Sequence, residues 1–86
     1  MSGYKESIKA SIRDELLSKL KASGGREGDL LAPQWLYNEY LPSLSTKEEK
    51  VFEEVIGEMI KEGLVEYTGG PKPTYKLTNK GATVLG

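Results

Sequence analysis

The stretch VEYTGGPKPTYKL, residues 65–77, has two alternating arms on either side of a loop rich in glycine and proline. If the arms pair so that residue numbers sum to 142, apolar residues share one face and an opposite-charge pair occupies the other. A shift of one residue would lose both matches, so the sequence predicts an antiparallel hairpin in this register, with its tyrosines on the inner face. The predicted pairs are Val65 with Leu77, Glu66 with Lys76, and Tyr67 with Tyr75.

The residues before the hairpin carry the signals of a long helix. Ser45 and Glu48 have the spacing of a capping box, in which each side chain bonds the other residue's backbone N–H. Apolar residues then recur with helical period as far as Gly63, which suits a C-terminal cap. The apolar positions are Val51, Phe52, Val55, Ile56, Met59 and Ile60.

The first quarter of the chain predicts another amphipathic helix, from Tyr4 to about Ala22. Its end is predicted at the glycine pair of residues 24–25. A parallel basic stripe is predicted to be the solvated shoulder of this helix. The apolar stripe is Ile8, Ile12, Leu16, Leu17 and Leu20, and the basic stripe is Lys5, Lys9 and Arg13.

The segments between these elements are shorter. Leu30 and Leu31 fit a strand of two or three residues, and a helix is predicted to begin at Pro33 and to end before Pro42. Within it, Trp35 is predicted to be partly exposed, with a core or rim role. After the hairpin, Thr78 or Asn79 is predicted to cap a short last helix.

The run IGEMIKEGLVEYTGGPKPTYKLTNKGATVL, residues 56–85, resembles the second half of a winged helix-turn-helix domain. In that family a helix leads through a GLV-like exit into strand, wing and strand, and a segment like LTNKG opens a final helix. The resemblance covers about residues 5–85. It implies an α+β fold with three main helices, a C-terminal β-hairpin wing and a short final helix. At 86 residues, the chain suits one such domain, residues 1–86.

The resemblance also implies a function. Residues 45–62 would take the recognition-helix position and residues 68–74 the wing, as in DNA-binding, transcription-regulatory members. Winged helices also bind proteins, so the alternative is a protein–protein interaction module that uses the acidic Glu49–Glu58 face. The same charges also suit an ordinary solvated surface. The candidate DNA-binding residues are Thr46, Lys47, Lys50, Lys72, Lys76 and Lys80.

The charge distribution limits how tightly the chain could hold double-stranded DNA. The net charge is −1, with basic ends and an acidic middle. The five candidate lysines allow a log–log salt slope no steeper than about −4 to −5, so a monomer would bind weakly. Strong specific binding therefore predicts a homodimer or another protein partner.

Composition argues against other classes of function. The chain has no cysteine and no histidine, which removes the commonest zinc ligands and the commonest general base. No spacing assembles a nucleophile with a base, so we expect no enzyme, metal or cofactor. No apolar run approaches a membrane span, and the expected location is the cytoplasm.

Overall fold

The structure, a computed structural model, describes residues 2–85, with side chains described from residue 5 onward. Over these residues it is an α+β fold of four helices and a two-stranded antiparallel hairpin. None of the helices in this part of the chain combines the length and apolar character needed to cross a membrane. The elements in order are α1 (Ser2–Ala22), α2 (residues 33–43), α3 (Thr46–Lys61), β1 (Val65–Thr68), β2 (Thr74–Leu77) and α4 (Asn79–Leu85).

Helix α3 begins and ends as predicted. The Glu48 backbone N–H donates to Ser45 Oγ at 3.2 Å, and the Ser45 N–H donates to Glu48 Oε1 at 2.9 Å. The bond that the carboxylate accepts from the Ser45 backbone N–H, followed by the effect of the Ser45 side chain, lowers the pKa of Glu48. At the other end Gly63 has a φ of 82°, and the Leu64 N–H bonds the Met59 carbonyl at 2.9 Å. Both ends therefore satisfy backbone groups that a helix leaves unpaired.

The hairpin has the predicted register, with Val65, Glu66 and Tyr67 opposite Leu77, Lys76 and Tyr75. The predicted short strand also pairs here, because Leu30 forms a single antiparallel bridge with Lys76. On either side of that bridge, the Leu31 N–H bonds the Tyr75 carbonyl and the Leu77 N–H bonds the Asp29 carbonyl, both at 2.8 Å. Strand β2 therefore lies between β1 and the segment of residues 29–31.

The core lies between the three long helices and this small sheet. Its fully buried side chains include Leu16 and Leu20 of α1, Leu36 of α2, Met59 of α3 and Leu77 of β2. Trp35 lies at its rim, half-buried as predicted. Its ring stacks on Tyr40 at 4.7 Å, and Lys19 Nζ lies 5.2 Å from its centroid.

The prediction that both hairpin tyrosines lie inside is wrong for Tyr67, which is 58% exposed. Val65 and Leu77 bury the inner face at the base of the hairpin, but Tyr67 lies two residues further along, about 7 Å beyond. Its ring packs edge-on against the half-buried Tyr75 at 5.9 Å. Alternation along the arms identified the face correctly but did not show where the core ends.

The predicted end of α2 before Pro42 is also wrong, since the helix continues to Ser43. Leu41 keeps helical angles, with φ −59° and ψ −42°, and its N–H bonds the Leu36 carbonyl five residues back. The segment Leu36–Tyr40 is π-helical, between the α-helical segments Pro33–Trp35 and Leu41–Ser43. A π turn is wider than an α turn, which relieves the clash between a proline ring and the carbonyl four residues earlier.

Helix α4 is fixed by two residues of the segment LTNKG. Thr78 caps the helix, because its Oγ1 accepts from the Gly81 N–H at 3.0 Å. The same hydroxyl donates to the Gly63 carbonyl, and the Leu64 carbonyl lies 3.0 Å from it. Gly81 packs closely against the loop of residues 63–64 that follows α3. A Cβ at position 81 would lie 2.2 Å from the Leu64 carbonyl oxygen. The cap and the glycine together hold α4 against the exit of α3.

Candidate nucleic-acid interface

Helix α3 turns one continuous stripe of side chains away from the core. Its members recur every three or four residues, so they lie on one side of the helix, and all of them are exposed. We call this stripe the outer face of α3. It consists of Thr46, Lys50, Glu53, Gly57 and Lys61.

One flank of α3 is joined to α1 by three ion pairs, which we call the ion-pair ladder. In each pair the partners are 49 residues apart, so the two helices run in the same direction along this contact. Arg13 makes two hydrogen bonds to Glu62, at 3.0 and 3.1 Å. The three pairs are Lys5 with Glu54 at 3.1 Å, Lys9 with Glu58 at 2.5 Å, and Arg13 with Glu62 at 3.0 Å.

The ladder shifts the pKa values of its own members in the direction that favours their charged forms. The bond from Arg13 lowers the pKa of Glu62, and the bond to Glu58 raises the pKa of Lys9. The basic stripe of α1, predicted to be a solvated shoulder, is therefore paired with carboxylates.

The predicted acidic face of α3 is divided by the ladder. Of the four glutamates between residues 49 and 58, Glu54 and Glu58 are turned towards α1. Glu53 lies on the outer face, and Glu49 is exposed on the flank of α3 opposite the ladder. The acidic residues of α3 therefore do not form one uniform surface.

The other flank of α3 lies near the hairpin. Burial raises the pKa of Tyr75 in the hairpin, and the charges of Tyr37, Tyr67 and Glu53 of α3 raise it further. The hairpin is itself held in place, because the Tyr37 hydroxyl of α2 donates to the Pro73 carbonyl. The loop of residues 69–73 therefore leaves the sheet from a fixed position.

The structure brings three of the six candidate residues together. Thr46, Lys47 and Lys50 occupy the first turns of α3, and all three are exposed. Thr46 and Lys50 also line a groove of about 340 Å³ that reaches Leu41 at the end of α2. This cluster is the N-terminal end of a helix, where the backbone dipole favours negative charge.

The other three candidates lie elsewhere. Lys72 is exposed in the hairpin loop, and Lys76 Nζ lies 3.6 Å from Glu66 on the sheet. Lys80 lies at the far end of α3, because its Cδ would be 3.8 Å from a Cβ at Gly63. Fourteen residues of helical rise, about 21 Å, separate the end of α3 at Lys61 from Lys47.

Three residues of the outer face, Glu53, Gly57 and Lys61, were not among the predicted DNA-binding candidates. Gly57 lies at its centre and Lys61 lies one turn later. The successive spacing of four residues, from Glu53 to Gly57 and from Gly57 to Lys61, is the sequence signal that identifies them.

The comparisons with known proteins do not identify this site. No protein-family model, curated protein or solved structure matches the chain. Its function is therefore inferred from geometry and charge.

Proposed function

We propose that the chain is a winged helix-turn-helix protein that binds double-stranded DNA in the cytoplasm, has no catalytic activity and serves transcription regulation. The first turns of α3 enter or flank the major groove, and Lys72 of the hairpin loop contacts the phosphate backbone. The order of helices and hairpin is compatible with that arrangement.

The ion-pair ladder is the observation that supports this proposal most. Carboxylates along a groove-facing helix would repel phosphates. Because Glu54, Glu58 and Glu62 are paired with α1, they lie on the flank of α3 and their charge is balanced locally. The exposed residues in the first turns of α3 are then Thr46, Lys47 and Lys50, together with the acidic Glu49.

The remaining charges set the expected strength of binding. Lys47, Lys50, Lys61 and Lys72 can approach phosphates, whereas Glu49 and Glu53 oppose them. Four phosphate contacts give a log–log salt slope of about −3 to −4. The proposed complex is therefore weak at physiological salt and loses affinity steeply as salt rises.

A titration with mixed-sequence duplex DNA, followed by amide chemical shifts at about 50 and 200 mM salt, tests the proposal. We expect shifts at residues 46–50 and 72 that weaken strongly at the higher salt. The double variant Lys47→Gln, Lys50→Gln should lose most of the affinity. Its matched control is the double variant Lys21→Gln, Arg26→Gln. This control changes the net charge by the same amount, but at positions beyond the part of α1 that contacts α3.

Two results would contradict DNA binding: no shifts at the lower salt, or equal losses of affinity in both double variants. The first result would favour the alternative, a protein-interaction module. The ladder weakens that alternative, because it occupies Glu54 and Glu58 of the acidic face on which it depended.

A further inference from the structure

We propose that the outer face of α3 binds a second copy of the chain, with two α3 helices packed antiparallel about a two-fold axis at Gly57. This surface includes part of the proposed DNA-binding surface, so the dimer would be a form that does not bind DNA. That regulatory consequence rests on the proposed function. The dimer itself does not.

Gly57 is the first observation that points to a partner. Glycine destabilises a helix interior relative to alanine, yet Gly57 lies in the middle of α3. A Cβ at this position would have no heavy atom of the described chain within 4 Å, so internal packing does not require the glycine. A solvent-exposed helix position without a side chain allows the backbone of another helix to approach closely.

The charges around Gly57 are complementary to themselves. Glu53 lies one turn before it and Lys61 one turn after it. In an antiparallel pair centred on Gly57, Glu53 faces the partner's Lys61, and the two-fold axis repeats that contact. Neither residue forms an ion pair with any side chain that the structure describes. They are eight residues apart, about 12 Å along the axis, which is too far for a mutual ion pair.

The surrounding geometry fits a helix pair. Residues 53, 57 and 61 lie along one row of every fourth residue, and such rows interdigitate in the commonest class of helix packing. Ile60, beside Gly57, is 39% exposed and would lose water on contact. A different protein would have to present both charges in reverse order, whereas a second copy does so by symmetry.

A single helix pair makes a small interface. Interfaces below about 1,200 Å² are typical of transient complexes, so we expect a dimer that forms only at high concentration. Analytical ultracentrifugation and NMR diffusion measurements from about 0.02 to 1 mM cover the range of weak association.

Two charge reversals give a sharp test. Glu53→Lys places two lysine pairs in the homodimer, and Lys61→Glu places two glutamate pairs. Each variant alone should associate at least about tenfold more weakly than the wild type, since like charges face each other. An equimolar mixture of the two restores both contacts, and should form a heterodimer with roughly the wild-type dissociation constant.

Further variants separate this contact from general effects. Gly57→Leu should abolish association by separating the helices, whereas Lys21→Glu, a matched reversal on α1, should leave it unchanged. Circular dichroism should show equal helix content in all variants, because the changed side chains are exposed.

Three results would overturn the dimer: a wild-type monomer at about 1 mM, reversal variants that associate like the wild type, or a mixture that stays monomeric. Failure of the DNA proposal has a different signature. Association would then show the expected pattern, but duplex DNA would cause no shifts and would not dissociate the dimer.

Discussion

Gly81 illustrates how the absence of one side chain positions the last helix. A Cβ there would lie 2.2 Å from the Leu64 carbonyl oxygen and 2.7 Å from Leu77 Cδ1. The Leu64 backbone is held between α3 and the Thr78 cap, so it has little freedom to move. We therefore expect Gly81→Ala to reduce the free energy of unfolding by about 1–3 kcal/mol, towards the upper end, in urea denaturation.

Gly69→Ala is the control for Gly81→Ala. Gly69 lies in the hairpin loop, has open space around it and does not have a positive φ. The free energy of unfolding of Gly69→Ala should therefore barely differ from that of the wild type. Equal stability of the two variants would show that α4 does not pack against Leu64 as described.

At single residues, the sequence predicted hydrogen bonds better than burial. Ser45 and Glu48 could be paired from their spacing, because a capping box is a local structure. The exposure of Tyr67 depends on where the helices beneath the hairpin end, which no local pattern encodes. The close contact at Gly81 likewise joins residues distant in sequence.

Among the elements, α1 and α3 are held together by charge along one flank, so their contact depends on pH. The Glu62 pKa is lowered from its ordinary value of 4.5 by Arg13. A lowered carboxylate pKa adds stability above the unfolded value, and that stability is lost as pH falls through the folded value. We expect the urea midpoint of the wild type to fall more between pH 7 and acid below 4.5 than that of Arg13→Gln.

Lys19→Gln is a suitable comparison for Arg13→Gln, because Lys19 lies on the same helix but contacts the Trp35 ring rather than a carboxylate. Its acid sensitivity should match that of the wild type. If Arg13→Gln lost as much stability in acid as the wild type, the Arg13–Glu62 pair would not contribute to folding.

The ladder also shows which features of a contact between two helices can be predicted from the sequence. Basic residues every fourth position on α1, and acidic residues every fourth position on α3, are visible in the sequence. Their pairing requires the direction and offset of the two helices, which are set by packing of both apolar stripes. The π-helical segment of α2 was missed for a related reason, since the proline rule describes isolated helices and not a widened turn.

For the whole molecule, the charge of the ladder should influence DNA binding from outside the proposed interface. Lys9→Met leaves Glu58 without its partner beside the outer face, and should weaken binding to duplex DNA. Glu58→Gln should strengthen it, and the double variant should return close to the wild type. Fluorescence anisotropy at about 50 mM salt measures all three affinities, and raising the salt should reduce the differences.

Lys21→Met is the matched control for Lys9→Met, since it removes one positive charge beyond the end of the α1–α3 contact. If both variants weakened DNA binding equally, net charge rather than the ladder would be responsible. A loss of affinity in Glu58→Gln would mean that Glu58 itself contacts the DNA.

The overall order of helices and hairpin was predictable because each element has its own local signals, such as the caps of α3 and the hairpin register. The candidate site was predictable only in part. Thr46, Lys47 and Lys50 are neighbours on one helix, but the positions of Lys76 and Lys80 depend on how the sheet and α4 fold back on α3.

The π-helical turn of α2 has a consequence for the evolution of the chain. A π turn contains one residue more than the α turn that would join the same two ends, and it rotates the following side chains by about 100°. A relative with a regular helix at this point would therefore be one residue shorter, with its deletion inside a helix rather than in a loop. In this chain the π turn sets the angle between the side chain of Tyr37, which reaches the Pro73 carbonyl, and that of Tyr40, which stacks on Trp35.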